Sequence, residues 1–216
     1  MSYNIAPSML SADFGNLDRD VEMVNASAAG WFHLDVMDGV FVPNISYGIP
    51  VVKAIARLAR KPMDAHLMIV EPHKYVKKFA DFGVEYLSVH YEACKSYLHE
   101  TLKLVRDCGM KVGLAINPET SEQFIAPYLG EIDYVLVMSV HPGFSGQKFI
   151  EGSVEKVARV KAMIDAVGAK CFIEVDGGVG VGNIDALAAA GAEVFVAGSA
   201  AFASDDPLKA IAALAK

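Results

Sequence analysis

Apolar positions along this chain fall into two kinds of run that take turns. Eight short runs are rich in β-branched, aliphatic and aromatic residues: NIAPSML, WFHLDVMDG, PMDAHLMI, YLSVHYEA, KVGLAIN, YVLVMSV, CFIEVDGG and VFVAGSAAF. They read as strands. Between many of them lie longer stretches with helical spacing of apolar residues, LDRDVEMVNASAAG, VVKAIARLAR, PHKYVKKFADFG, SYLHETLKLVRDCG and VEKVARVKAMIDAVG. Several close on a glycine, where a helix favours a left-handed cap. Strands separated by helices predict a parallel sheet, and eight such units closing on themselves predict an α/β fold of the (β/α)8 barrel type. An open doubly wound sheet is the alternative. At 216 residues and 53% hydrophobic content, the chain can bury a large core, and one domain over 1–216 is expected.

The polar exceptions inside the strand-like runs carry the chemistry. In WFHLDVMDGVFVPN, His33, Asp35 and Met37 share one strand face while Leu34 and Val36 share the other. Polar residues also collect late in the runs: Ser8 in the first, His33 and Asp35 in the second, His66 in the third and Asp176 in the seventh. A barrel of this type keeps its active site at the C-terminal strand ends. Met37, Met68 and Met138 sit beside these residues, and one cavity could hold them all. Buried carboxylates and imidazoles need partners, because desolvating an unpaired charge is costly. A divalent cation would satisfy two His and two Asp together, and structural ion pairs are the competing explanation. Mixed nitrogen and oxygen donors suit zinc, iron, manganese or cobalt.

Two glycine-containing loops suggest an anion. DGGVGVGN, Asp176 to Asn183, follows a strand and precedes a helix, so backbone amides can point at a phosphate. A dinucleotide fingerprint fails there, because Gly178 and Gly180 would require a glycine where Asn183 stands. The next loop, AGSAAF, adds Gly198 and Ser199, and loops after the seventh and eighth strands are the usual phosphate cradle of a barrel. After the sixth strand, HPGFSGQKF places Gly143 and Gly146 around Phe144 and Ser145, as expected of a lid over the barrel mouth.

Charge narrows the partners. The formal net charge is −7 with no basic run, which argues against nucleic acid or an anionic membrane surface. MSYNIAPSML does not read as a targeting leader and no apolar stretch is long enough to span a bilayer, so a cytoplasmic location is expected. Cys94, Cys108 and Cys171 lack metal or redox spacing and are expected to be reduced, structural thiols.

With IAPSMLSADF, HLDVMDGVFVPN, DAHLMI, SVHPGFSGQKF, EVDGG and AGSAAF in this order, the chain resembles the ribulose-phosphate 3-epimerase family from end to end. The resemblance implies a phosphate-binding TIM barrel with one divalent metal ion per subunit and no organic cofactor. Metal ligands then fall on His33, Asp35, His66 and Asp176, and the acid/base pair on Asp35 and Asp176. Substrate contacts fall on Ser8, His66, Gly143, Phe144, Ser145, Gly146, Asp176, Gly177, Gly178, Gly198 and Ser199, with Met37, Met68 and Met138 packing against a flat intermediate.

The implied reaction inverts C3 of a ketose phosphate, ribulose 5-phosphate to xylulose 5-phosphate of the pentose phosphate pathway, and the implied state is a homo-oligomer. Removing a C–H proton beside a ketone requires a polarised carbonyl and a stabilised ene-diolate, and inversion requires a proton to leave one face and return on the other. Val40 stands where many members have His, and Ser145 where many have Gly. Close relatives act on 6-phosphates of ketohexoses, so an allulose 6-phosphate epimerase is the alternative, with a non-catalytic sugar-phosphate sensor more remote.

Overall fold

The structure is a computed structural model and describes residues 3–215. The eight predicted strands are β1 (Asn4–Pro7), β2 (Phe32–Met37), β3 (Met63–Met68), β4 (Tyr86–His90), β5 (Lys111–Ile116), β6 (Tyr134–Met138), β7 (Phe172–Asp176) and β8 (Val194–Ala197). All pairings are parallel; β2 through β8 pair in chain order, and β8 pairs with β1. The remaining seam, between β1 and β2, is held by a Ser8–His33 bridge and by the Gly30 N–H donating to the Ile5 carbonyl at 2.9 Å. The sheet therefore curls into a barrel, and the open doubly wound alternative does not apply.

Helices alternate with the strands: α1 (Leu17–Ala26), α2 (Ile49–Leu58), α3 (Val76–Asp81), α4 (Tyr91–Cys94), α5 (Leu98–Asp107), α6 (Ser153–Val167), α7 (Ile184–Ala189), α8 (Ser199–Phe202) and α9 (Pro207–Leu214). The long α6 stops at Gly168, whose φ of 63° is the left-handed cap expected of its closing glycine. The β5–β6 connection departs from the alternation. It holds only 3-10 turns over Glu122–Tyr128 with Pro127 inside, a residue whose missing N–H works against an α-helix there. No helix among the described residues is long and apolar enough to cross a membrane.

Strand alternation sorts side chains into two shells. Leu34, Val36, Leu67, Val89, Leu114, Val137 and Val175 point outward and are buried beneath the helices. The inward positions build layers. At the N-terminal end of the barrel Trp31 stacks on Tyr86 at 4.0 Å between ring centroids, and Tyr134 lies parallel to Phe172 at 5.0 Å. Gly113 makes room for this plug, since a Cβ there would lie 2.2 Å from the Tyr134 ring. Above the plug comes a buried polar layer of His33, Asp64, Ser88 and Glu174. The C-terminal strand ends lie above that.

Candidate active site

The β2–β3 register sets Asp35 beside His66, and β7 ends with Asp176 opposite Met138 of β6. Four side chains from three strands, His33 and Asp35 of β2, His66 of β3 and Asp176 of β7, therefore meet. Asp35 Oδ1 lies 3.2 Å from both His33 Nε2 and His66 Nδ1, while Asp176 Oδ2 lies 4.0 Å from His33 Nε2 and 3.7 Å from His66 Nδ1. Their donor atoms all fall within 4.8 Å of one another. A tetrahedral zinc ion with bonds near 2.0–2.1 Å would hold its donors roughly 3.3 Å apart, so the set is already close to the spacing a small cation imposes.

The chemistry of the donors agrees. His33 Nε2 is buried and has no hydrogen-bond partner of acceptable geometry, although Asp35 is near it. Burial opposes a charge on His33, yet Asp35 and Asp64 outweigh it and raise the imidazole well above its usual range. His66 is raised in the same way, against burial, by Asp176 and Asp35. Asp35, also buried, is held far below the usual carboxylate range by the two imidazoles. The cluster thus draws positive charge to its centre, and protons or a cation can supply it. The residues fit a divalent ion.

Asp35 uses its oxygens separately. Oδ1 faces the imidazoles, while Oδ2 accepts a 2.5 Å hydrogen bond from the Ser8 hydroxyl.

Both histidines are backed from behind. His33 Nδ1 meets Asp64 Oδ2 at 2.5 Å, and the Tyr134 hydroxyl donates to the other Asp64 oxygen at 2.8 Å. Glu174 Oε1 lies 3.4 Å from the same His33 nitrogen, neither Glu174 oxygen has a hydrogen-bond partner, and burial beside Asp64 pushes this carboxyl up to about 8. On the other side, His66 Nε2 lies 2.8 Å from His90 Nε2, and His90 Nδ1 lies 3.1 Å from Glu92 Oε2. Burial brings His90 down to about 4. Glu92 lies at about 2 against the pull of burial, because His90, the Thr120 hydroxyl and the Asn117 amide all favour its ionised form.

Sequence reasoning missed Asp64, Glu174, His90 and Glu92. Three carried a usable signal: Asp64 and Glu174 precede His66 and Asp176 by two residues on the same strand faces, and His90 is the last residue of β4.

Above the cluster, at the C-terminal mouth of the barrel, opens a narrow cleft. Its walls include Ser8, Asp35, Met37, Met68, Met138, Asp176, Gly177, Gly178, Gly198, Ser199 and the β6–α6 loop residues Gly143, Phe144, Ser145 and Gly146. His33 and His66 lie beneath, with no exposed surface. The loop is latched: the Asn44 amide donates to the Gly143 carbonyl at 2.6 Å, and the Gln147 amide to those of His141 and Phe144 at 2.6 and 2.9 Å. Gly178 has φ of +62°, and a Cβ there would come within 2.7 Å of the Phe149 nitrogen, so this turn must be glycine for packing as well as for any anion.

Comparison with known proteins agrees with this geometry. At the level of fold, the chain superimposes on a crystal structure of KGPDC from Streptococcus mutans with a TM-score of 0.74 at 13% identity, covering 99% of this chain and 96% of that one. A structure of 3-hexulose-6-phosphate synthase gives 0.68 at 19% identity, covering 99% and 98%. In sequence it is 46% identical over 208 residues to ribulose-phosphate 3-epimerase of Bacillus subtilis (strain 168), covering 96% of this chain and 95% of that protein. It is 44% identical over 202 residues to that of Aquifex aeolicus (strain VF5), covering 94% and 90%. The sequence model of the ribulose-phosphate 3 epimerase family matches residues 4–202, and with two histidines and two aspartates gathered at the mouth of its barrel the chain belongs to that family.

Proposed function

We propose that this chain is an isomerase that interconverts D-ribulose 5-phosphate and D-xylulose 5-phosphate by inverting C3. The observation that carries the reading is the convergence of Asp35 and Asp176, from opposite sides of the β1–β8 segment of the barrel, on the same pair of buried imidazoles at the floor of the cleft. His33, Asp35, His66 and Asp176 would hold one divalent transition-metal ion, which when bound supplies a Lewis acid for the ketone and countercharge for the ene-diolate oxygens.

The chain's own groups do the rest. Asp35 and Asp176 exchange protons with C3, one accepting it from one face of the substrate and the other returning one to the opposite face. Ser8 donates to Asp35 Oδ2 and so orients that carboxylate. Met37, Met68 and Met138 give the cleft a wall without competing hydrogen bonds, which suits a flat intermediate and excludes water. Gly177, Gly178, Gly198 and Ser199 line the cleft and would receive the phosphate, and the loop from Gly143 to Gly146, on the same wall, would cover the bound sugar.

The test is turnover of ribulose 5-phosphate in deuterated water, with allulose 6-phosphate as the competing substrate. Two facing acids predict that product carries deuterium at C3 on its first turnover, from either direction. Return of the substrate's own hydrogen would point to one shared base and sink the two-carboxylate reading. Faster turnover of allulose 6-phosphate would reassign the substrate.

A further inference from the structure

His66 has two ring nitrogens, and the structure engages both. Nδ1 faces the carboxylates of Asp35 and Asp176 at 3.2 and 3.7 Å, and Nε2 faces His90 Nε2 at 2.8 Å. Two imidazole nitrogens that close share one hydrogen; two hydrogens would clash, and none would set lone pair against lone pair. Which ring owns that hydrogen is decided farther out.

His90 Nδ1 faces Glu92 Oε2 at 3.1 Å. The other Glu92 oxygen accepts from the Asn117 N–H at 2.8 Å and from the Thr120 hydroxyl. A carboxylate only accepts, so His90 Nδ1 must carry a hydrogen. The remaining nitrogen of neutral His90 then has a lone pair, and His66 must donate from Nε2. A neutral His66 so arranged turns the lone pair of Nδ1 toward Asp35 and Asp176, where a cation would sit. Neither ring has exposed surface, and Phe41 packs at a tilt against His90 with ring centroids 4.8 Å apart, so solvent offers no substitute partner.

We propose that Glu92 and His90 are positioning residues that fix the tautomer of His66 and thereby set the affinity of the site for a divalent ion. This deepens, and rests on, the metal-centre reading above. The two histidine ligands are supported unequally: His33 leans directly on Asp64, whereas His66 reaches its carboxylate through a second ring. Outer partners of this kind orient the ligand and raise its basicity.

The test is Zn(II) affinity of the full chain, measured by competition with a chromophoric chelator, together with the imidazole 15N spectrum. In Glu92→Gln, Asn117 and Thr120 still donate to the side-chain oxygen, so the new amide nitrogen faces His90 and donates to Nδ1. The His90 hydrogen moves to Nε2, His66 is forced to accept there, and its own hydrogen lands on Nδ1 among the ligands. Zn(II) affinity should fall by about 10- to 100-fold, the scale seen for lost outer partners.

In the double variant Glu92→Gln with His90→Gln, the amide oxygen at position 90 can again accept from His66 Nε2, and most of the loss should be recovered. A merely structural role for Glu92 predicts no recovery. In the wild-type spectrum His90 should carry its hydrogen on Nδ1 and His66 on Nε2, a readout that stands even if a variant fails to fold. Wild-type affinity in Glu92→Gln, a double variant that binds no better than the single one, or a His90 hydrogen on Nε2 would each overturn the proposal. If the wild-type chain itself binds no Zn(II), the metal-centre reading falls, and this assignment with it.

Discussion

Asp35 shows how one side chain can serve two roles, because its oxygens meet different neighbours: imidazoles at Oδ1, the Ser8 hydroxyl at Oδ2. Replacing Asp35 by Asn removes a proton acceptor while keeping the shape, and the same holds for Asp176→Asn. Each should cut epimerisation by about 10²- to 10⁴-fold, the usual worth of a positioned acid or base. Metal content must be measured alongside, so that lost coordination is not mistaken for a lost base. With metal retained, the two variants should differ in which epimer still exchanges its C3 hydrogen. Glu174 makes a second residue-scale prediction. Its folded pKa, raised to about 8 by burial and Asp64 from a usual value near 4.5, means that the folded state holds a proton that the unfolded chain releases. That contribution to stability is fully present below about 4.5 and is lost as pH rises through about 8. Thermal melts of the metal-free protein should therefore show this loss across that window, and Glu174→Gln, which stays neutral, should flatten it. An unchanged profile in the variant would exclude Glu174 as the titrating group.

At the scale of elements, the loops after the strands are tuned as much by packing as by chemistry. Gly178→Ala would put a side chain at φ of +62° and against the Phe149 backbone, strain on the order of 1–3 kcal/mol. It should lower the melting temperature and raise KM for the phosphorylated substrate together. Asn44→Ala instead only unties the β6–α6 loop from the Gly143 carbonyl; a KM rise of a few fold is expected, with stability changed by less than about 1 kcal/mol. A variant that kept the wild-type KM would show that the latch does not hold the loop over the substrate. These elements also show why part of the molecule was legible in advance. Strand faces follow a two-residue period, so the fate of His33, Asp35, Met37, His66 and Asp176 could be read from the string of residues alone. The supports could not be read with equal ease. Asp64 earns its meaning from His33, 31 positions away, Tyr134 reaches Asp64 across 70, and Glu92 ties into the Asn117 and Thr120 segment of another loop. Such partnerships exist only once the barrel closes, and the β5–β6 connection had no helical periodicity to betray its 3-10 turns.

Taken as a whole, the barrel concentrates negative side chains around buried imidazoles, and that balance makes cation uptake compete with protons. Because Asp35 and Asp176, with Asp64 behind His33, raise His33 and His66 above their usual range against burial, lowering the pH through that raised range fills the ligand lone pairs with protons. Divalent-ion affinity should therefore rise with pH, with protons released on binding, while Asp35, held ionised, contributes nothing to the slope. Calorimetry of Zn(II) binding in buffers of different ionisation heat would count those protons, and none released would contradict the arrangement. At the opposite end of the barrel from all this chemistry sits the aromatic plug. It contains the chain's single tryptophan, Trp31, stacked on Tyr86 and almost wholly buried. The intrinsic fluorescence of the protein is thus an optical gauge planted at the far end from the cleft: it should redden sharply when the barrel comes apart and stay nearly silent when metal or sugar phosphate binds.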